Sequence, residues 1–234
     1  MSSIRSLLGN TILSPLKKYK NSTQLHERLE GYRKYDQSLS EKWNTFPPIM
    51  SEDSKIVRDR SALLKTMPKH AVVAEVGVFT GQFSRRIMDV TTPKELHLID
   101  PWDLLDNHKK HGQRHHQVVL EKMKPEIEAN IVTVHKEYSA NVLPNFPKHH
   151  FDWIYVDADH SYESVIEELH LCKDLVKPEG YICGHDYTRW AGGGAVRFGV
   201  VEAVNEFCNT QNYEIILLTN EPHRNLSYVL RKTK

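Results

Sequence analysis

Along the chain, short unbroken apolar runs alternate with stretches whose apolar residues recur at helical spacing, the signature of an α/β fold. His70 to Val76 is apolar and rich in β-formers, and too short for a helical period. Phe83, Ile87 and Val90 follow at helical spacing, and Glu95 to Ile99 reads as a second strand. Val118, Val119, Met123 and Ile127 mark the next helix; Ile131–Val134 and Asp152–Val156 read as strands three and four. Ser161 can cap a helix whose apolar face is Tyr162, Val165, Ile166, Leu169, Cys172 and Val176. Pro178 and Gly180 stop it, and Tyr181 begins a fifth strand. A helix from Val200 to Cys208, a sixth strand at Tyr213–Leu218 and a seventh at Leu226–Leu230 complete the pattern. The turn Thr219–Pro222 has no room for a crossover helix, so the last two strands run antiparallel. The expected architecture is a doubly wound α/β sheet, mostly parallel with an antiparallel C-terminal strand and helices on both faces.

Residues 1–60 are polar and are expected to form a helical appendage, broken at Pro47-Pro48, with residues 61–234 as the main domain. A helix from Ser51 to Thr66 is expected to lead into the sheet. Pro101 to Gln117 is a polar insertion after the second strand, and five of the fourteen histidines fall between His97 and His116.

The chain has 234 residues, enough for one domain with a sizeable core. A formal net charge of +1 gives no general attraction to nucleic acid or to an anionic membrane, so neither is an expected partner. No apolar run reaches the length of a membrane span, and no signal-peptide pattern opens the chain. Leu7, Leu8, Ile12, Leu13 and Leu16 are expected to make a short amphipathic helix that packs on its own domain or on a second copy. Cys172, Cys183 and Cys208 show no metal-ligand spacing, and an odd count without a secretory signal points to reduced thiols in the cytoplasm.

Between the first strand and its helix lies Ala74-Glu75-Val76-Gly77-Val78-Phe79-Thr80-Gly81. Glycines here let backbone approach a ligand closely, and ligands of doubly wound sheets bind beyond the carboxyl ends of the strands. Asp100 ends the second strand about twenty residues later, the distance at which an acid meets the ribose hydroxyls of a nucleotide cofactor. Phe79 stands where a dinucleotide fold keeps its middle glycine, which argues against a pyrophosphate on this turn. Glu75 is a poor neighbour for phosphate and a good acceptor for an ammonium. S-adenosylmethionine (SAM) carries an ammonium and a sulfonium and no phosphate. The loop resembles the first motif of class I SAM-dependent methyltransferases, with a Rossmann-like sheet. Under that resemblance Glu75, Gly77, Val78, Phe79, Thr80, Gly81 and Asp100 are cofactor contacts.

Asp157-Ala158-Asp159-His160 ends the fourth strand and His185-Asp186-Tyr187 the fifth, and in this fold the two are neighbours about 4.8 Å apart. Two carboxylates brought together in a cleft repel unless they are protonated or bridged by a cation. A hard divalent ion such as Mg²⁺ would take oxygen ligands there and lower the pKa of a bound hydroxyl. Asp157 is also placed to touch the methyl donor. His160, three residues on, is the candidate general base. Arg189, Trp190 and Gly192-Gly193-Gly194 follow the fifth strand at the mouth of the cleft and are expected to form a substrate loop.

The segments V-D-A-D-H-S-Y-E, K-P-E-G-Y-I-C-G-H-D-Y and G-V-V-E-A-V-N-E-F resemble the macrocin O-methyltransferase-like family, over roughly residues 60–231. The resemblance implies O-methylation of a hydroxyl on a small molecule, such as a sugar or glycosylated metabolite, with metal aspartates at Asp157 and Asp186 and a base at His160. It also implies that Trp102 and the Glu137-Tyr138-Ser139 segment flank the adenine. The chain departs from the pattern at His185, where macrolide relatives often carry an acid, and at Tyr187, where catechol-type relatives carry Asn. Ligation by His185 would favour Mn²⁺, Fe²⁺ or Zn²⁺ over Mg²⁺, unless Asp159 supplies the oxygen. A metal-independent N- or O-methyltransferase, or a SAM-binding module without turnover, are the alternatives.

Overall fold

The computed structural model describes residues 22–104, 109–191, 196–221 and 225–233. The expected amphipathic helix at Leu7–Leu16, the triple glycine 192–194 and His108 lie outside the described residues. The first helix, α1 (Ser22–Thr45), ends just before Pro47-Pro48, as proline's missing N–H and fixed φ require. Next come β1 (Met50–Val57), α2 (Arg60–Thr66), β2 (Val72–Val76), α3 (Gln82–Thr91), β3 (Glu95–Ile99), α4 (Lys109–Lys122) and α5 (Lys124–Glu128). They continue with β4 (Val132–His135), α6 (Ser139–Val142), β5 (Phe151–Val156), α7 (Tyr162–Leu175) and β6 (Val176–Gly184). A two-residue ribbon, β7 (Trp190–Ala191) with β8 (Val196–Arg197), precedes α8 (Val200–Gln211), β9 (Tyr213–Thr219) and β10 (Tyr228–Lys232).

Eight strands form one sheet in the order β1-β9-β10-β6-β5-β2-β3-β4. Strand β10 is antiparallel to both β6 and β9, and the remaining pairs are parallel. The sheet is therefore mostly parallel, finished by the antiparallel strand that the short turn demands. Both faces are covered, as parallel sheets require. On one side α7 and α8 bury Val165, Leu169, Val204 and Phe207 against Ile154 and Ile182. On the other, α2, α3 and α4 bury Leu63, Leu64, Ile87 and Val119 against Val73, Leu98 and Trp153.

Two expectations change. The first half of the Ser51–Thr66 helix is instead strand β1, an edge strand parallel to β9, and only Arg60–Thr66 is helical. Helix α4 begins at Lys109, inside the polar insertion, well ahead of its apolar stripe. Among the described residues, no helix is long and apolar enough to cross a membrane.

Candidate active site

The glycine loop leaves β2 with Gly77 at φ +87°, and a Cβ there would collide with the Asp157 backbone carbonyl. Only glycine lets β2 and β5 release their chains side by side at this point. Asp100 then fixes the loop: its Oδ2 accepts the Val78 and Phe79 amides at 2.8 and 2.9 Å, and its Oδ1 accepts the Trp102 amide at 2.7 Å. Oδ2 thereby uses both of its lone pairs, whereas Oδ1 keeps a second one for a ligand hydroxyl. Two cavities open on either side of the loop and share Gly77, Phe79 and Asp157.

The larger, about 580 Å³, lies over Ile99, Asp100, Ser139, Ala158, His160 and Glu168. The smaller, about 370 Å³, is strongly polar, with Glu75, Arg60, Arg86 and Asp157 in its walls. Glu75 is buried, and its Oε2 has no hydrogen-bond partner. Burial, reinforced by the charges of Asp157 and Asp100, pushes its carboxyl up to about 8. An orphaned buried carboxyl at the end of a cavity fits an ammonium ligand.

At the ends of β5 and β6 the charged groups converge. His160 Nε2 lies 2.6 Å from Asp186 Oδ2, off the line of a good hydrogen bond, and 3.9 Å from Asp157 Oδ1. His185 Nδ1 lies 3.0 Å from Asp186 Oδ1 and 3.7 Å from Asp157 Oδ1. Asp186 has φ +59°, a left-handed conformation that non-glycine residues rarely adopt, and Asn225 donates to its Oδ1 at 2.5 Å. The Phe198 ring stacks on His160 at 4.3 Å. Burial opposes a charged His160, but Asp157 and Asp186 outweigh it and push its pKa up to about 10. Burial likewise opposes an ionised Asp186, and His160 with His185 holds it well below the usual carboxylate range.

Asp157, His160 and Asp186 present ligand atoms all within 4.8 Å of one another, so two oxygens and a nitrogen can hold a divalent cation. His185, expected as a ligand, points its Nδ1 at both carboxylates, while its Nε2 is buried without a partner. Asp159 Oδ1 accepts the Ser161 amide at 2.6 Å, which ties it to the start of α7.

Residues 74–187 match a family described as a methyltransferase domain. The fold is that of a class I methyltransferase. No curated protein matches the chain in sequence. Among solved structures it is similar to a putative rRNA-methylase from Clostridium thermocellum, at 13% identity over 74% of this chain and 95% of that one, with a TM-score of 0.55. A putative methyltransferase from Streptococcus mutans in complex with SAH is 9% identical over 74% and 96% of the two chains, with a TM-score of 0.53. Spermidine synthase from Thermotoga maritima is also similar, at 16% identity over 72% and 55%, with a TM-score of 0.50. At these identities the likeness is one of fold, and a fold shared with a synthase does not name a methyl acceptor.

Several expected site residues of this methyltransferase fold stand elsewhere. Trp102 is buried; its indole N–H donates to the Phe79 carbonyl at 2.8 Å, and its ring meets His116 rather than either cavity. Arg189 donates to Glu202 at 2.8 Å and reaches Asp36 of α1 at 3.4 Å. Trp190 sits edge-on to Tyr32 of α1, with the Arg197 guanidinium 5.7 Å from its ring. Both bind the N-terminal helix and line neither cavity. Ser139 does face the larger cavity and donates to Glu168 at 2.7 Å.

Three residues at the site were not singled out from the sequence. Arg60 reaches Asp157 Oδ2 at 3.4 Å and lies over the Phe83 ring. Glu168, whose Oε2 is buried and unpartnered, is pushed up to about 7 chiefly by burial. Asn225 anchors Asp186. Of these, Glu168 alone had a legible hint: a charge on the otherwise apolar face of α7, one residue before Leu169.

Proposed function

We propose that this protein is a SAM-dependent O-methyltransferase acting on a hydroxyl of a small molecule, a sugar or glycosylated metabolite being the preferred class, with a divalent cation at its centre. The observation that carries the reading is the convergence of Asp157, His160 and Asp186 beside the cavity bounded by Gly77 and Asp100. SAM would supply the methyl group, and the cation, with Mg²⁺ and Mn²⁺ the first choices, would lower the acceptor hydroxyl's pKa.

The polar cavity fits the amino-acid end of such a donor, with Glu75 for the ammonium and Arg60 with Arg86 for the carboxylate. The larger cavity fits the nucleoside, with Asp100 for the ribose and Ser139 beside the base. Asp157 borders both, so the reacting centre falls between it and His160. With the charges of Asp157 and Asp186 unopposed, His160 keeps its proton at neutral pH. Once those charges are neutralised by a cation held on the two carboxylates, with His160 outside its coordination, Nε2 is free to accept the proton of the substrate hydroxyl. Positioning of the acceptor in line with the methyl group supplies much of the remaining rate.

The test is release of S-adenosylhomocysteine from SAM across a panel of hydroxylated small molecules, with EDTA and with Mg²⁺ or Mn²⁺ restored. Turnover that EDTA stops and metal restores is expected, with His160→Ala slower by about 10²–10⁴-fold at unchanged SAM affinity. EDTA-insensitive turnover would support the metal-independent alternative, and SAM binding without turnover on any acceptor would support the non-catalytic one.

A further inference from the structure

A second cluster of ligating groups lies on the α7/α8 side of the sheet, toward the start of β3, away from Asp100 at that strand's end. Glu95 and His97 alternate on one face of β3, His135 ends β4 beside them, and His150 immediately precedes β5. His97 is the centre. Its Nε2 lies 2.7 Å from Glu95 Oε1 and its Nδ1 2.9 Å from His135 Nε2. The ligand atoms of Glu95, His97 and His150 all lie within 4.8 Å of one another. Phe146 stacks on the His150 ring at 5.4 Å and meets His97 edge-on at 4.8 Å, forming an apolar wall around the group.

Hydrogen bonds account for only part of this arrangement. The chain from Glu95 through His97 to His135 is complete with one proton on each imidazole Nε2. His150 Nε2 is left over: buried, without a partner, and beside a carboxylate. A buried polar atom left unpaired is costly, and a bound ion is one of its recognised explanations.

We infer that Glu95, His97 and His150 form a second metal site, for a divalent transition ion of borderline softness such as Zn²⁺, with His135 as the positioning residue behind His97. Two imidazoles and a carboxylate are a Zn²⁺ donor set, and three protein ligands leave a fourth position for water. The tautomers balance without loss of a proton from the pair. His97 moves its proton from Nε2 to Nδ1 and donates it to His135 Nε2, while His135 carries its own on Nδ1. That hydrogen bond orients the ligating ring, as outer partners of metal-bound histidines do. The ion would tie β3 to the connection between β4 and β5, at the edge of the sheet where only β4 covers β3.

The inference is independent of the catalytic reading and is tested apart from it. Full-length protein carrying Asp157→Asn and Asp186→Asn lacks both carboxylate ligands of the active centre. Equilibrium dialysis of this protein against Zn²⁺ is expected to retain one equivalent, and Co²⁺ in its place is expected to give the visible absorption of a four-coordinate site. Adding His150→Ala, or separately Glu95→Gln, should remove the saturable equivalent, and His135→Gln should weaken it about 10–100-fold. Circular dichroism confirms that each variant is folded. No bound Zn²⁺ in the Asp157→Asn/Asp186→Asn protein, or full binding in both folded His150→Ala and Glu95→Gln variants, would overturn the inference.

Discussion

Under the proposed function, Glu75 illustrates how a carboxyl buried for a ligand weakens the ligand-free protein. Its carboxyl, raised from 4.5 to about 8 by burial, is protonated in the native state at neutral pH but ionised in the unfolded chain. The native state thus binds more protons between those values, and stability falls as pH rises from about 4.5 through about 8. Glu75→Gln removes that dependence. The ligand-free variant should be more stable than the wild type at pH 8, by on the order of 4 kcal/mol, with the gain disappearing towards pH 4.5. It should also bind SAM more weakly, having lost a charged partner for the ammonium. Thermal melts across pH, paired with calorimetry, measure both; a variant no more stable at pH 8 than the wild type would show that Glu75 is not buried in this way. The position was legible because an acid two residues before a glycine turn has few structural reasons to be there. Arg60 and Asn225 were not legible: each reaches the site from a segment far from the motifs, and only folding brings them to Asp157 and Asp186.

Elements were readable where their period was strong and misread where partners were remote. Strand β1 has the sequence Met-Ser-Glu-Asp-Ser-Lys-Ile-Val, with no alternation of apolar residues, and it is half exposed along its length. Its strand conformation comes from β9, some 160 residues later, through pairs such as Ile56 with Leu218. The same remoteness explains Arg189 and Trp190, whose partners are on α1 and α8. There Asp36 accepts from Arg197 at 2.6 Å and lies 3.4 Å from Arg189, while Glu202 binds both arginines from within the core. Lys42 adds a bond to Glu206 at 2.7 Å, and Tyr35 accepts the Tyr162 amide at 2.7 Å. Asp36 is partly exposed, so its removal should cost no more than about 1 kcal/mol of overall stability. The expected effect of Asp36→Ala is local: faster tryptic cleavage at Arg33 and Lys34, with the melting of the sheet domain almost unchanged. Equal cleavage rates in variant and wild type would show that α1 is held by its other contacts, such as Lys42 with Glu206 and Tyr35 with Tyr162, and not by Asp36.

For the whole molecule, the decisive inference was one of chain connectivity. A turn too short for a crossover forced the last strand antiparallel, and the sheet places it between β9 and β6, an order that separates methyltransferase folds from most dinucleotide-binding ones. The same sheet gathers the glycine loop, Asp100, Asp157, His160 and Asp186 at the carboxyl ends of β2, β3, β5 and β6, so ligand binding and folding should be linked. A ligand that binds only the native state at a hundred times its dissociation constant adds about 2.7 kcal/mol. In a domain of this size, each kcal/mol raises the melting temperature by roughly 2–4 °C. S-adenosylhomocysteine at that excess should therefore raise the melting temperature by about 5–10 °C. NAD should leave it unchanged, because Phe79 stands where a pyrophosphate-binding turn keeps its middle glycine. Asp100→Ala should reduce the shift, since it removes both the ribose partner and the anchor of the Val78 and Phe79 amides. A shift with NAD and none with S-adenosylhomocysteine would reverse the cofactor assignment while leaving the fold untouched.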